Sequence, residues 1–100
     1  MSDIEFLGTL DDVIRDRIEA GDTGSYTVQL VTSGVRRAAQ KVGEEAVELA
    51  IASVDGQREN TLAEAADLVY HLLVLLRVQG LTLGDVAGVL EQRHSASESR

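Results

Sequence analysis

The chain contains no cysteine, no proline and no tryptophan, and its aromatic residues are Phe6, Tyr26 and Tyr70 alone. Without cysteine there is no disulfide framework, no thiolate metal site and no cysteine nucleophile. The two histidines, His71 and His94, argue against a histidine-built metal centre. Basic residues are scarce: nine Lys and Arg stand against seventeen Asp and Glu, a net charge of −8. A general nucleic-acid binder displaces counterions with a basic surface, so this balance argues against one. Long apolar runs are missing as well. Leu72–Leu76 is the longest, far short of a bilayer span. The first ten residues carry acids where a secretory leader carries bases. The expectation is a soluble, intracellular protein that engages neither nucleic acid nor membrane.

One hundred residues make a single domain, expected over 1–94, with 95–100 as a small, polar, disordered tail. A chain of this size buries only about 60–70% of its unfolded surface and is marginal as a monomer. The missing prolines and the lack of period-two alternation predict an all-α fold of about five helices. The first covers 10–20, with Thr9 and Asp12 as a capping pair and Gly21 as its stop. A short helical segment follows at 26–31 and ends near Ser33-Gly34. The third helix spans 35–54. The fourth starts near Thr61, with Glu64 three residues later, and runs to Gln79. The last opens at Thr82 with Asp85 and ends near His94.

Along the third helix, Val35, Ala38, Ala39, Val42, Ala46, Leu49 and Ala50 fall within about 60° of one line, which predicts the core stripe. Val47, Ile51 and Val54 lie off that stripe, so the stretch 46–54 is apolar almost all round. The stretch Leu68–Leu76 is the same. A helix apolar on every side is buried on every side. The expected architecture is a helical bundle whose core is completed by homodimerisation, with a monomer whose first helix folds over the open side as the alternative.

The acids lie on those same two helices. Glu44, Glu45 and Glu48 share one face of the third helix with Lys41, and Glu64 and Asp67 share a face of the fourth. An antiparallel packing of the two brings these carboxylates together. The plain reading is a solvated acidic face. Against it, Glu48 and Asp67 sit in or beside stretches that read as buried, with few cations for company beyond Arg37 and Lys41. Carboxylates crowded at a buried boundary repel, and a divalent cation resolves the repulsion. Oxygen ligands without His or Cys select hard ions, Mg²⁺ with Mn²⁺ as a substitute. Such sites commonly act on phosphates, with Lys41, Arg37 and Arg77 as candidate phosphate-binding cations. The Walker-type phosphate loop is absent.

These motifs resemble a known family. E-E-x-x-E at 44–48 followed by E-x-x-D at 64–67 is similar to the metal signature of the all-α, MazG-like nucleotide pyrophosphohydrolases. S-Y-T at 25–27, K-V-G-E-E-A-x-E at 41–48, A-D-L-x-Y-H-L-L-V-L-L at 66–76, and the segment from G-L-T-L-G-D-V to L-E-Q-R-H at 80–94 narrow the resemblance to the phosphoribosyl-ATP pyrophosphatases. It covers residues 7–94. The resemblance implies hydrolysis of phosphoribosyl-ATP to phosphoribosyl-AMP and pyrophosphate, the second step of histidine biosynthesis. It also implies a cytoplasmic, Mg²⁺-dependent homodimer and the free-standing form, since 100 residues leave no room for a cyclohydrolase domain. It assigns Glu45, Glu48, Glu64 and Asp67 to the metal. Glu44, Glu45 and Glu48 are the catalytic candidates, with Glu44 either a fifth ligand or the base that positions water.

Other residues keep two readings. Tyr26 stacks on the adenine or anchors the core. His71 orients Asp67 and contacts the substrate region, or is a core histidine. Tyr70 reads as packing with a bonded hydroxyl. Gly43 either admits a close approach to the acids or is a tolerated small residue. Two rival functions remain: a general nucleoside triphosphate pyrophosphatase with the same acids, and a non-catalytic helical interaction module.

Overall fold

The structure is a computed structural model that describes residues 3–98. Five helices follow in order: α1 (Glu5–Ala20), α2 (Tyr26–Thr32), α3 (Val35–Asp55), α4 (Arg58–Val78) and α5 (Leu83–Glu98). No strand occurs among the described residues. The fold is all-α, as the composition predicts.

Local chemistry sets most of the boundaries. Gly21 and Gly56 adopt the left-handed conformation, φ 68° and 78°, which glycine reaches without strain, and each closes the helix before it. Ser25 caps α2 by accepting the amide of Val28 at 3.4 Å. At α5 the Thr82 amide donates to Asp85 Oδ2 (2.9 Å) and the Asp85 amide donates to Thr82 Oγ1 (3.1 Å), a reciprocal capping box as expected.

Three boundaries differ from the sequence reading. α1 starts at Glu5, because Phe6 and Leu7 extend the apolar pattern by a turn, and the expected capping residues Thr9 and Asp12 lie inside it. α4 starts at Arg58, and Thr61 Oγ1 donates instead to the carbonyl of Ala52 (3.4 Å), tying α4 to the end of α3. This frees Glu64 for the acid cluster described below. α5 continues past His94 to Glu98, so residues 95–98 are helical where a disordered tail was expected. Ser and Ala carry only a small helix penalty, and the helix propagates through them at little cost. Residues 99–100 lie outside the described residues.

The core gathers Ile14 from α1, Leu30 from α2, Ala38 from α3, and Leu73 and Val74 from α4, with Leu10, Ile18 and Val69 packed around them. α4 is its centre. No residue of Leu68–Leu76 is exposed, which matches the expectation of burial on every side. α1 packs on α2, α4 and α5. Its inner side is pinned by Asp11, 5% exposed, which accepts from Arg77 Nε (2.8 Å) and from the Leu83 amide (3.1 Å). One carboxylate thereby joins α1, the end of α4 and the start of α5.

α3 and α4 form an antiparallel hairpin joined by Gly56-Gln57. The face of α3 that meets α4 is Ala38, Lys41, Val42, Glu45, Leu49 and Ala52, each buried or half-buried. This is a correction of the expected stripe: Val35, Ala39, Ala46 and Ala50 are exposed. The packed face is rotated by about 60° toward the acids, because α3 carries two apolar faces and α4 covers one of them. The other face holds Val47, Ile51 and Val54, at 59%, 58% and 87% exposure. Among the described residues no single helix is long and apolar enough to cross a membrane.

Candidate active site

All five expected acids, Glu44, Glu45, Glu48, Glu64 and Asp67, lie on the α3–α4 hairpin. The antiparallel register brings Glu64 opposite Glu45 and Glu48. One carboxylate oxygen from each of these three lies within 4.8 Å of the others. Glu45 is buried, Glu64 half-buried and Glu48 exposed, so the trio runs from the helix interface to the surface. Glu45 Oε2 and Glu64 Oε2 are buried without a hydrogen-bond partner. Two shielded acceptors with nothing to accept from, in a group of like charges, is costly unless a cation joins them. Three hard oxygen donors that span the interface and open to solvent suit a divalent ion such as Mg²⁺, which keeps positions for water and phosphate oxygens. The donor set therefore fits the expected metal. Asp67 lies one turn after Glu64 on α4, exposed and outside the trio.

Glu44 sits at the rim. Gln40 Nε2 donates to its Oε2 (3.3 Å), and Lys41 Nζ lies 3.6 Å from its Oε1. Lys41 reaches Glu45 Oε1 at the same distance, 3.6 Å. Burial pulls the Lys41 ammonium down, but Tyr26, Glu44 and Glu45 together outweigh it and hold its pKa above the ordinary lysine value. The residue is thus firmly cationic beside the acids.

Depressions open on both sides of Glu48. One, of about 520 Å³, is lined by Gly43, Glu44, Val47 and Glu48. The other, of about 290 Å³, is lined by Glu48, Ile51, Ala52, Asp55, Asn60 and Glu64. A Cβ built on Gly43 would meet no atom within 4 Å, so nothing inside the chain demands glycine there. Any close approach at that position comes from outside the chain.

The aromatic residues form a group over the α2–α4 contact. His71, 7% exposed, has Nδ1 at 2.7 Å from the Asp67 carbonyl and Nε2 at 2.9 Å from the Tyr26 hydroxyl. A carbonyl only accepts, so Nδ1 donates to it, and in the neutral ring Nε2 accepts from Tyr26. Both ring nitrogens are engaged, and the group of Asp67 that His71 bonds is the backbone carbonyl, not the carboxylate it was expected to orient. Tyr26 is half-exposed and lies parallel to Tyr70, centroids 6.4 Å apart at 23°. Tyr70 shares a hydrogen bond with the buried Thr27 hydroxyl, so the reading of Tyr70 as packing with a bonded hydroxyl holds. The link from Tyr26 to His71, 45 residues apart, has no local signal; the S-Y-T and Y-H motifs mark its ends without joining them.

Among the other candidate cations, Arg37 is exposed one turn before Lys41 on the same face. Arg77 is engaged by Asp11 at 2.8 Å and Asp12 at 3.8 Å, and holds the α1–α4–α5 junction together. A depression of about 570 Å³ there, lined by Asp11, Asp12, Arg15 and Arg77 among others, lies apart from the acid trio.

Comparison with known proteins gives a consistent result. The profile of the phosphoribosyl-ATP pyrophosphohydrolases (PRA-PH) matches residues 7–94. The phosphoribosyl-ATP pyrophosphatase of Pyrobaculum arsenaticum is 56% identical over 87 residues, covering 87% of this chain and 93% of that protein. The phosphoribosyl-ATP pyrophosphatase of Pyrobaculum islandicum is 53% identical over 89 residues, 89% of this chain and 95% of that one. The histidine biosynthesis bifunctional protein HisIE of Xanthomonas axonopodis pv. citri is 53% identical over 90 residues, 90% of this chain but 44% of that protein. The chain thus spans less than half the length of this bifunctional relative, and nearly all of the two from Pyrobaculum. Matched from Leu7 to His94, with its acids assembled on one hairpin, the chain belongs to the phosphoribosyl-ATP pyrophosphohydrolase family.

Proposed function

We propose that this chain hydrolyses phosphoribosyl-ATP to phosphoribosyl-AMP and pyrophosphate, the second step of histidine biosynthesis, in the cytoplasm and with Mg²⁺ as cofactor. The observation that carries this reading is the convergence of Glu45, Glu48 and Glu64 within 4.8 Å in a member of this family. These three residues, with Asp67 as a further ligand, would hold the metal. When bound, the ion supplies positive charge for the triphosphate and acidity for a water at the α–β anhydride.

The residues of the chain divide the remaining work. Glu45 and Glu64 present buried acceptors that fix the ligand set at the helix interface. Glu44, at the solvent rim one turn before Glu48, accepts the proton of the attacking water. The water oxygen bonds to the α-phosphorus, the α–β anhydride bond breaks, and pyrophosphate leaves with its electron pair. Lys41, beside the acids, meets the charge of the triphosphate, and Arg37 remains for another phosphate of the substrate. Tyr26 offers a half-exposed ring to the adenine, and His71, saturated by its own bonds, sets the angle of that ring.

The same proposal includes a homodimer. The chain exposes 6881 Å², while a folded monomer of its mass exposes about 5,500 Å². The excess, about 1,400 Å² per chain, doubles to the size of an obligate interface. The second apolar face of α3, around Val47, Ile51 and Val54, is where a second copy docks.

The test is a panel assay of pyrophosphate release from phosphoribosyl-ATP, ATP and dUTP, each with and without Mg²⁺. The expected result is Mg²⁺-dependent turnover of phosphoribosyl-ATP alone. Comparable turnover of all three would move the chain to the general pyrophosphatases, and no turnover of any would end the enzyme reading.

A further inference from the structure

One face of α3 carries Arg37, Lys41, Glu44, Glu45 and Glu48 in order, each about one turn or less from the next. Its charge changes from cationic to anionic over a length of about 16 Å, at about 1.5 Å per residue. The two cations are not equivalent. Lys41 already bridges Glu44 and Glu45. Arg37 is exposed and, among the described residues, meets no carboxylate. That is notable in so acidic a chain, where Arg15 holds Asp12 and Asp16, and Arg77 holds Asp11. The remaining unpaired arginines near the hairpin lie elsewhere. Arg36 is turned about 100° away around α3, and Arg58 begins α4 at the far end of the hairpin.

We infer that Arg37 binds the lone phosphate of the substrate's second ribose, and so separates a nucleotide with two phosphate-bearing riboses from an ordinary nucleoside triphosphate. The inference rests on the reading given under Proposed function and answers a question that reading leaves open. The substrate has a triphosphate at one end and a monophosphate at the other, with the base between. The triphosphate belongs with the acids and the metal they would hold, since a bridging cation offsets the repulsion from a protein of net charge −8. The monophosphate lies beyond reach of that metal and needs its own cation. Tyr26 opens α2, which packs on α3, and presents a half-exposed ring. With the base on Tyr26, the chain of groups runs back along α3 to Arg37, the unpaired cation on that face. An adenine flanked by two ribose phosphates spans a length of the same order as the row. A guanidinium suits a terminal phosphate because it donates two parallel N–H bonds, and a free one needs no carboxylate displaced.

The experiment compares wild type, Arg37→Gln and Arg37→Lys with Mg²⁺ present. It measures KM and kcat for phosphoribosyl-ATP, and the inhibition constant of ATP as a competitor. Arg37→Gln should raise KM for phosphoribosyl-ATP about 10- to 100-fold with a much smaller change in kcat, and shift the ATP inhibition constant by less than about threefold. Arg37→Lys should recover part of the loss. The thermal midpoint should move little, because Arg37 is exposed. Equal weakening of both ligands would place Arg37 on the triphosphate and overturn the inference. No weakening of either would overturn it too. Failure of the underlying enzyme reading shows separately, as absence of phosphoribosyl-ATP turnover in the wild type, and removes this inference with it.

Discussion

Glu45 is where the chain's electrostatics and its packing conflict. It is 7% exposed, faces two other carboxylates and leaves one buried oxygen unbonded. Replacing it with Gln removes a like charge from the trio. In metal-free protein, Glu45→Gln should therefore raise the thermal midpoint by a few degrees, about 0.5–1 kcal/mol. The same variant should lose the stabilisation that Mg²⁺ gives the wild type. A lower midpoint without metal, measured by scanning calorimetry, would mean that the trio is not under repulsion. Lys41 gives a pH prediction. Its folded pKa lies above the ordinary lysine value, so its contribution is complete below the unfolded value, about 10.5, and is lost as pH rises through the folded one. The stability difference between wild type and Lys41→Met should stay constant from about pH 6 to 9 and shrink only above about 10.5. A difference that shrinks at neutral pH would contradict the assignment. The acids were legible in the sequence because 3–4 spacing alone places side chains on one face. The Tyr26–His71 bond was not, because it joins α2 to α4 across 45 residues and no spacing rule reaches that far.

At the scale of elements, one carboxylate does the work of a linker. Asp11 holds the start of α5 through the Leu83 amide and the end of α4 through Arg77. Both side chains are largely buried, at 7% and 15% exposure. Removing one partner of such a pair strands the other, at a cost of about 3 kcal/mol or more. Asp11→Ala should lower the thermal midpoint by more than about 10 °C. It should also speed hydrogen exchange at the Leu83 amide. A midpoint within about 2 °C of wild type would show that the junction is held by other contacts. The helices were legible from apolar periodicity and from stops such as Gly21. What misled the reading of α3 was its excess of apolar residues. A stripe centred on Val35 and Ala46 is the more apolar choice, yet α4 packs on the side that carries Glu45 and Lys41. Periodicity reports that a face is apolar; which of two faces meets which neighbour is decided by the connection through Gly56-Gln57 and by the fit of small Ala38 and Ala52 against α4. Likewise Thr61 and Glu64 match a capping pair in type and spacing, but a competing partner, the Ala52 carbonyl, takes the Thr61 hydroxyl.

For the whole molecule, the surplus of exposed surface and the second face of α3 point to the same event. Ile51→Glu places a charge in the middle of that face, where Ile51 is 58% exposed in the single chain. Sedimentation should show the wild type at twice the chain mass and Ile51→Glu at the chain mass, with a lower thermal midpoint. A wild type that sediments as a monomer would contradict the dimer. The face also borders the depressions around Glu48, since Val47 and Ile51 line them, so loss of pairing should reduce activity as well. The central claim is that the acid trio of the α3–α4 hairpin is a metal site that cleaves phosphoribosyl-ATP. Its most direct test is the rate of pyrophosphate release as a function of Mg²⁺ concentration, for wild type and for Glu48→Gln. The account predicts saturable Mg²⁺ dependence in the wild type and a loss of about 100-fold or more in the variant, about 2.7 kcal/mol of barrier. Hydrolysis that persists in chelator, or a Glu48→Gln variant that keeps the wild-type rate, would contradict it.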